Sequence, residues 1–581
     1  MRLVFDIEAD GLKPTRLWCV SAVDVDTKQF YEYGPSQIEQ AVELLGNAEV
    51  LIGHNILGFD LPTLERLHGL DTTGKTIIDT LVLSRLINPT QEGGHSLETW
   101  GGKLNFPKVE HEDWTQFTPD MMNRCSTDVR LNLKVFEILS KSGKNFSETS
   151  KDLEHAVYPI IRRQIEHGFL FDLPKAVTFE ARLADELASL EDEVRETFRP
   201  EPLFIKTVRP KRKKDGTLSR SGLRPEEFDR LSESGSFEPF DRYDIQEFNL
   251  GSRDQIGKRL VGLGWKPKLF TPTGKPQIDE SSLEGIEFPE GELILRYLTV
   301  QKIKSFVSSW IEAVGDDGRL HGFVNPNGAV TGRMTHSKPN MAQIPSSRKL
   351  YGKECRELFI VPKGYKLVGV DAEGLEMRML AHYMNNRDYI IAVSEGDKRL
   401  GTDAHTLNMH AAGCKDRDTA KTLIYALIYG AADKKLGSVL DGNKAAGARA
   451  RASLFQQFPD LDDLIDRVKT AAARGFLKGL DGRLIRVRKI NSSLNTLLQG
   501  GGGIVMKKAL VILDDLATKA GLDYHFVGNI HDEFQVEVKE EDVEKFSEVA
   551  LDSMRLAGEF FNMNCPLAGE VNVGDNWAET H

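Results

Sequence analysis

Two acidic segments in the C-terminal half carry residue types suited to metal-dependent phosphate chemistry. The apolar run that starts at Leu367 breaks at Asp371, and Asp532 and Glu533 stand at a tight turn before an alternating strand pattern. Two aspartates on neighbouring strands, with the backbone carbonyl of Ala372, can hold a pair of divalent ions. We therefore take Asp371, Asp532 and Ala372 as candidate metal ligands, and both aspartates and Glu533 as candidate catalytic residues.

A basic repeat between these two segments is suited to bind phosphate. Arg417, Lys421 and Tyr425 are spaced four residues apart, so on a helix they share one face. Arginine grips phosphate oxygens as a planar fork and lysine as a point charge, while a tyrosine can stack on a base or sugar. Taken alone, the motif also fits a solvated charged face with a core tyrosine. Together with the acids, it predicts a site for nucleotidyl transfer from a triphosphate.

A second set of acids lies in the N-terminal part of the chain. Asp6 and Glu8 are two residues apart in an apolar strand pattern, so both side chains point to one face. Asp60 and Asp128 could join them. An acid pair inside an apolar strand is costly unless metal ions or hydrogen bonds compensate. For either acid of the pair alone, a solvated strand end is the alternative, but the set predicts a metal site that clamps a phosphodiester, with Asp6, Glu8 and Asp128 as ligands.

Composition limits the class of protein. The chain has 581 residues and a formal net charge of −12, and its five cysteines are scattered without a CxxC pair. These features predict several domains in a reducing cytoplasm, without disulfides or structural zinc. No apolar run approaches the roughly 20 residues of a membrane span, and the N-terminus does not read as a signal peptide. A negative net charge does not exclude nucleic acid, because the local field decides binding.

One segment is strongly basic despite the negative total. Residues 201–248 are rich in Pro, Gly, Ser and charge, which predicts an insertion or flexible loop. Its cations could track a duplex backbone, bind a protein partner, or be solvated in a poorly ordered loop. The candidate DNA-binding residues here form one run: Lys211, Arg212, Lys213 and Lys214.

Hydrophobic periodicity predicts the elements that position these residues. Residues 1–140 alternate between strand and helix patterns, and 150–200 and 250–315 have helical spacing. From residue 317 a long mixed region follows. Its predicted elements are a strand over 366–371, a helix from about Arg417 and a strand over about 533–538.

Several motifs together resemble family A (Pol I-like) DNA polymerases. They are, in the family's order, Asp371-Ala-Glu-Gly-Leu-Glu376, Arg417-x3-Lys421-x3-Tyr425-x3-Tyr429-Gly430 and His531-Asp-Glu533. Further segments look like the replicative polymerases of T-seven-type bacteriophages. These are 324–333, 478–483, 494–499 and the closing Asn576-Trp-Ala578. The N-terminal acids resemble the 3′–5′ proofreading exonuclease of the DEDD class.

The resemblance implies an α/β multidomain fold. An RNase H-like exonuclease domain would precede a right-hand polymerase domain made of palm, fingers and thumb. The implied ranges are 1–150 for the exonuclease, 151–316 for the thumb region with the basic insertion 201–248, 317–384 for the first palm part, 385–495 for the fingers and 496–581 for the second palm part.

The resemblance also implies roles for single residues. Two Mg²⁺ ions per active site are expected, and Mn²⁺ can substitute. His405, Arg417 and Lys421 would bind the triphosphate, and Glu376 would exclude a ribose 2′-OH together with Tyr425. A tyrosine at that position, rather than phenylalanine, implies weak rejection of dideoxynucleotides. The minor-groove side of the primer–template would be contacted by Arg333, Gln499 and His531.

The exonuclease resemblance has one departure. Family members have a tyrosine four residues before the last acid or a histidine five residues before it, and here those positions hold Arg124 and Asn123. Arg124 could pair with a ligand carboxylate, contact the scissile phosphate or face solvent. The alternative function is therefore a repair-type family A polymerase whose exonuclease is weak or absent.

The main functional hypothesis is a replicative, phage-type DNA polymerase with proofreading. Its expected partners are primer–template DNA, deoxynucleoside triphosphates and a processivity factor or the helicase–primase of a replisome, in the cytoplasm of a bacterial host and away from membranes. In T-seven-type relatives a long thumb insertion recruits host thioredoxin, and 201–248 takes the corresponding place in shorter form. Glu376 and Glu533 disfavour a single-subunit RNA polymerase. Joint presence of the acids and the basic helix disfavours a nuclease with an inactive polymerase domain.

Overall fold

The computed structural model describes residues 1–106, 111 and 113–581. Its N-terminal part contains a mixed five-stranded sheet. Strand order is β3-β2-β1-β4-β5, with β1 antiparallel to β2 and parallel to β4. The elements here are β1 Arg2–Ala9, β2 Leu17–Asp24, β3 Phe30–Tyr33, α1 Ile38–Gly46, β4 Val50–Gly53, α2 Asp60–His68, β5 Thr76–Asp79, α3 Thr80–Ile87, α4 Leu97–Lys103, α5 Pro119–Ser142, α6 Glu148–His167 and β6 Phe169–Leu170.

Two compact units make up the chain. One consists of Met1–Asp172 together with Ala313–His581, and the other is Leu173–Glu312. The second unit contains α7 Leu173–Thr197, β7 Glu201–Val208, α8 Pro225–Ser234, β8 Phe240–Gln246, α9 Arg253–Gly262, α10 Glu280–Leu283 and α11 Pro289–Ala313, whose last residue falls in the first unit.

The prediction of a flexible loop over 201–248 is wrong. Strands β7 and β8 pair antiparallel, and α8 lies between them in sequence. Arg242 donates to Glu227 at 2.7 Å and Arg224 pairs with Asp244, so ion pairs tie the helix to β8. The run of charge and turn residues hid short strand patterns such as Leu203-Phe-Ile205, because composition averages over an entire segment.

The remaining elements belong to the first unit and include a four-stranded antiparallel sheet of order β15-β16-β12-β17. They are β9 Arg319–Leu320, β10 Phe323–Asn325, β11 Thr335–Ser337, α12 Gly352–Arg356, β12 Tyr365–Ala372, α13 Leu375–Met384, α14 Arg387–Ser394, α15 Ala404–Ala412, α16 Arg417–Ile428, α17 Asp433–Val439, α18 Lys444–Gln457, α19 Pro459–Ala472, β13 Phe476–Lys478, β14 Leu484–Arg486, α20 Ser493–Lys519, β15 Tyr524–Ile530, β16 Glu533–Lys539, α21 Val543–Phe560 and β17 Gly569–Gly574.

The central strands β12 and β16 are mostly buried, and the large core cluster joins their apolar residues to α13, α16, α20 and α21. The predicted strand over 366–371, the strand over 533–538 and the helix starting near Arg417 are confirmed. Burial on both faces explains the nearly continuous apolar run that precedes Asp371.

One segment, Ile490–Lys519, is long and apolar enough to cross a membrane by length and composition. In its most apolar window 72% of the residues are buried inside the protein. Four consecutive glycines, Gly500–Gly503, are buried within it, and a Cβ at any of the last three would meet side chains of α13 or of Arg333. The segment is therefore packed as a core helix, and its glycines allow close approach of neighbouring elements.

Candidate functional site

The fold brings the two C-terminal acidic segments together at one end of the four-stranded sheet. Strands β12 and β16 pair so that Asp371 faces Glu533, and the Ala372 amide donates to the Asp532 carbonyl at 3.0 Å. His531 has a φ of 57°, in the left-handed region, which allows the tight turn into β16. Asp371 and Asp532 thus stand side by side on adjacent chain segments.

Burial has the largest effect on the pKa of Asp371, and neighbouring acids add to it. Burial by the surrounding protein, followed by repulsion from Asp532 and Glu533, raises the pKa of Asp371 to about 7. A carboxylate held among other carboxylates is stabilised by a cation bound between them. Oxygen donors of this kind are the ligands that Mg²⁺ prefers.

Glu533 is tied down by the end of the chain. Trp577 Nε1 donates to its Oε1 at 2.8 Å, His581 Nδ1 lies 2.7 Å from its Oε2, and Gln535 donates to it as well. Burial alone would raise the pKa of Glu533, but these partners, led by His581, hold it below its usual value. The role of His581 was missed in the sequence, although the closing motif around Trp577 was recognised.

Helices α15 and α16 carry the predicted triphosphate ligands. Arg417 begins α16 and pairs with Asp403, the N-cap of α15, at 3.0 Å. The rings of His405 and Tyr425 lie 6.2 Å apart, so the two helices face each other through these side chains. Burial, followed by the positive charges of Arg417 and Lys421, lowers the pKa of His405. Four of the predicted residues therefore form one basic, partly apolar surface, and Asp403 is a partner that the motif did not reveal.

Glu376 lies in the first turn of α13, close to the end of β12. Its Oε1 accepts a hydrogen bond from the hydroxyl of Tyr429 at 3.0 Å. The family resemblance implies that Glu376 acts together with Tyr425. Burial, and then the charge of Glu376, raise the pKa of Tyr425 to about 12. Tyr429 also hydrogen-bonds with Gln499. The residue that hydrogen-bonds directly to Glu376 is therefore Tyr429, which lies one helical turn after Tyr425.

Three predicted DNA-binding residues share one cavity of about 250 Å³. Arg333, Gln499 and His531 line it, along with the buried Lys507. They come from the loop after β10, from α20 and from the turn before β16, so distant parts of the chain converge here.

A buried ionic network holds α20 in place. Lys507 Nζ lies 2.6 Å from Glu154 Oε1 on α6, and Arg483 Nη1 lies 2.5 Å from the same oxygen. Arg483 also pairs with Asp481 at 2.6 Å. All four side chains are almost fully buried. The network joins α6, α20 and the β13–β14 turn, and so supports the helix that carries Gln499.

The N-terminal acids also converge. One carboxylate oxygen each of Asp6, Glu8 and Asp128 lies within 4.8 Å of the others. Asp6 and Glu8 share a face of β1, and Asp128 lies within α5, which packs on that sheet. Among the described residues this is the one group of three or more such side chains close enough to hold a metal ion.

Asp60 is placed differently from the other three acids. It is buried at the start of α2, and its Oδ1 accepts a hydrogen bond from the Ile7 amide at 3.2 Å. Burial raises its pKa to about 8. Asp60 lines the same cleft of about 920 Å³ as the three clustered acids, and its contact with the backbone of β1 supports the strand between Asp6 and Glu8.

Arg124 pairs with one of the clustered acids. Its Nε lies 3.1 Å from Glu8 Oε1, and its guanidinium carbon lies 5.1 Å from the centre of the Trp114 ring. Of the three alternatives considered for this residue, pairing with a ligand carboxylate is the one observed.

The basic run occupies an exposed turn of the second unit, between β7 and α8. Lys211, Arg212, Lys213 and Lys214 are all exposed, and the guanidinium of Arg212 lies 3.8 Å from the centre of the Phe237 ring. These cations are presented to solvent on a structured hairpin.

Comparisons with known proteins match most of the chain. A family model described as DNA polymerase family A matches residues 230–579. The DNA-directed DNA polymerases of Enterobacteria phage T3 and Escherichia phage T7 are 31% and 30% identical, each over 100% of both chains. DNA polymerase I of Thermus aquaticus is 28% identical over 57% of this chain and 42% of its own.

A solved structure shares the fold. The POL domain of Pol1 from M. smegmatis, in complex with DNA primer–template and dNTP, superposes with a TM-score of 0.76 at 19% identity. The match covers 100% of this chain and 95% of the other.

Proposed function

Because the chain belongs to DNA polymerase family A and is a DNA-directed DNA polymerase, we propose that it extends a primer 3′-OH by two-metal nucleotidyl transfer at Asp371 and Asp532. The observation that carries this proposal is the pairing of β12 with β16, in which Asp371 lies opposite Glu533 and the Ala372 amide donates to the Asp532 carbonyl. The full-length likeness to phage polymerases supports a replicative role in the cytoplasm of a bacterial host.

The residues at this sheet end fit a pair of divalent ions. Enzymes of this family are generally metal-dependent, and Asp371, Asp532 and the Ala372 carbonyl would hold two Mg²⁺, or Mn²⁺ in their place. Bound there, the ions would supply Lewis-acid activation of the 3′-OH and would neutralise charge on the leaving pyrophosphate. Glu533 stays ionised among its donors and holds the His531–Glu533 turn, and so the position of Asp532, in place.

The basic surface of α15 and α16 supplies the triphosphate site. Arg417 and Lys421 bind phosphate oxygens, and His405 donates a hydrogen bond to them. The pair between Arg417 and Asp403 fixes the guanidinium before the nucleotide arrives. Glu376, anchored by Tyr429, excludes a ribose 2′-OH.

Tyr425 closes the sugar side of this site. Its hydroxyl stands in for the missing 3′-OH of a dideoxynucleotide, so Tyr425→Phe is expected to raise discrimination against dideoxynucleotides strongly. The ratio of incorporation efficiencies for deoxy and dideoxy substrates measures this. An unchanged ratio would contradict this placement of Tyr425.

The primer–template lies against Arg333, Gln499 and His531. These donors contact minor-groove acceptors that all base pairs share, so they check the shape of a pair without reading its sequence. The basic run Lys211–Lys214 contacts the duplex backbone, or binds a processivity factor or replisome helicase–primase. The domain ranges stay as the resemblance implies them, with the thumb region over 151–316, the palm over 317–384 and 496–581, and the fingers over 385–495.

We also propose a 3′–5′ exonuclease at the N-terminal acids. Asp6, Glu8 and Asp128 would hold two divalent ions, and Asp60 supports β1 between the first two. The wide cleft beside them suits a single-stranded 3′ end. The family model begins at residue 230, so this activity rests on the acid cluster and on the full-length phage likeness.

Single-nucleotide incorporation tests the polymerase proposal. Asp371→Asn and Asp532→Asn are each expected to lower the rate with saturating Mg²⁺ by several orders of magnitude, because each removes a carboxylate ligand. Glu541→Gln, an exposed acid just after β16, is the matched control and keeps the rate. Incorporation by Asp532→Asn at the wild-type rate would refute the assignment.

A further inference from the structure

The guanidinium of Arg124 lies between a buried acid, Glu8, and the ring of Trp114. Its side chain is 17% exposed, and that of its partner Glu8 is 9% exposed. Trp114, whose ring faces the guanidinium, is itself anchored, because Trp18 Nε1 donates to the Trp114 carbonyl at 3.0 Å. Trp114 also packs against a small buried cluster that includes Met121. A surface arginine on a solvated helix face would have neither the aromatic wall nor the buried acid.

Arg124 also lies beside a cluster of negative charges, the acids Asp6, Glu8 and Asp128. Three carboxylates within 4.8 Å of one another repel each other strongly, and a cation in contact with Glu8 relieves part of that repulsion. Arg124 therefore provides, from the protein itself, the kind of charge that a divalent ion would bring to Glu8. The same planar fork that grips a carboxylate also fits a phosphate group.

We propose that Arg124 is a substrate-contacting residue of the exonuclease that exchanges partners: it holds Glu8 while the site lacks divalent ions, and contacts the scissile phosphate of a single-stranded 3′ end once they are bound. The proposal rests on the proposed exonuclease function. It gives a substrate contact to an arginine on α5, at the position where family members of the tyrosine type have a tyrosine. The hydrolysis itself still breaks the phosphodiester with water as nucleophile.

Two effects of opposite sign follow. In Arg124→Gln the competitor for Glu8 is gone, so divalent ions bind more tightly. The phosphate loses its charged partner, so degradation slows. Arg124→Lys keeps the charge but loses the fork, so ion affinity stays near that of the parent protein while degradation is partly lost. A purely structural arginine would weaken both properties when replaced.

Mn²⁺ binding and strand degradation, measured side by side, test the proposal. The full-length chain carries Asp371→Asn and Asp532→Asn in every sample, so Mn²⁺ bound at the polymerase site does not interfere. Electron paramagnetic resonance then counts free Mn²⁺, and a sample with Asp6→Ala and Glu8→Ala shows which binding belongs to the exonuclease cluster. Hydrolysis of a 5′-labelled single-stranded oligonucleotide is followed at saturating Mn²⁺.

For Arg124→Gln we expect roughly tenfold tighter Mn²⁺ binding and at least about tenfold slower hydrolysis. Mn²⁺ affinity that falls or stays unchanged overturns the exchange, as does hydrolysis at the parental rate. If the parent with Arg124 intact hydrolyses nothing, the proposed exonuclease fails and the phosphate contact fails with it. The Mn²⁺ titration then still decides separately whether Arg124 occupies Glu8 as a counter-ion.

Discussion

Two acidic residues that lie close together in this protein have pKa values shifted in opposite directions. Asp371 and Glu533 face each other across β12 and β16, yet the pKa of Asp371 is raised to about 7 and that of Glu533 is lowered. The difference lies in their partners, since Glu533 receives hydrogen bonds from Trp577 and His581 while Asp371 faces other acids. One acid is therefore suited to be stabilised by an added cation, and the other is already stabilised by the protein.

A pH-dependent contribution to stability is expected at Asp403. Burial alone would raise its pKa, but the hydrogen bond from Arg417 and that from Thr406 hold it at about 2. A lowered carboxyl pKa stabilises the fold above the unfolded value near 3.8, and that contribution is lost as pH falls toward 2. Asp403→Asn, which keeps the helix cap, should cost about 1–2 kcal/mol at pH 7.

Urea unfolding at two pH values measures this effect. The difference between Asp403→Asn and the native sequence should shrink to about half at pH 3, because the contribution is then partly titrated. Asp388→Asn, an exposed acid on α14, serves as the control and should show little difference at either pH. A difference for Asp403→Asn that grows as the pH falls would contradict the pairing with Arg417.

At the scale of elements, periodicity was a good guide where one strand or helix carried the signal. The strand that ends at Asp371 and the helix from Arg417 were predicted, and the structure places Arg333, Gln499 and His531 around one cavity. Contacts between elements were not readable in this way. A buried ion network and the hydrogen bond from His581 to Glu533 join residues far apart in sequence, which periodicity does not report.

The paired elements also explain the error over 201–248. Charge-rich composition predicted a loop, whereas the cross-strand pairing of β7 with β8 and the ion pair of Arg242 with Glu227 make this segment structured. Register and ion pairing depend on which residues meet, and single-sequence composition holds no information on that.

The network between α6 and α20 yields a stability prediction. Glu154 is the shared counter-ion of Lys507 and Arg483, so Glu154→Gln leaves two buried cations with less compensation. We expect a loss of about 3–5 kcal/mol in the free energy of unfolding. Thermal or urea unfolding measures it. Glu148→Gln, an exposed acid on the same helix that pairs with Lys151, is the matched control and should cost well under 1 kcal/mol. Similar losses for the two variants would show that the network does not clamp the helices.

At the scale of the whole molecule, a net charge of −12 coexists with a polymerase that must bind a polyanion. The two proposed metal sites require acids, and a dense run of cations, Lys211–Lys214, lies in the second unit. The average charge therefore says little about where DNA binds, and the local pattern is the useful quantity.

The hairpin cations make a salt-dependence prediction. If Lys211, Lys213 and Lys214 contact the duplex backbone, changing all three to Glu weakens primer–template binding and lowers the slope of log affinity against log salt by about three. Fluorescence anisotropy over a range of salt concentrations measures the slope. The same exchange at exposed Lys353, Lys363 and Lys398 controls for total charge. An unchanged slope in the hairpin variant would assign this run to a protein partner or to solvent.

The central claim is that one chain holds two metal sites with opposite chemistry, one extending a primer and the other shortening it. The most direct measurement follows a 5′-labelled primer on a template with Mg²⁺, with and without deoxynucleotides, for the native protein, Asp532→Asn, and Asp6→Ala combined with Glu8→Ala. We predict that Asp532→Asn abolishes extension and keeps shortening, whereas the N-terminal double variant abolishes shortening and keeps extension. Loss of both reactions in either variant, or extension by Asp532→Asn at the native rate, would contradict the claim.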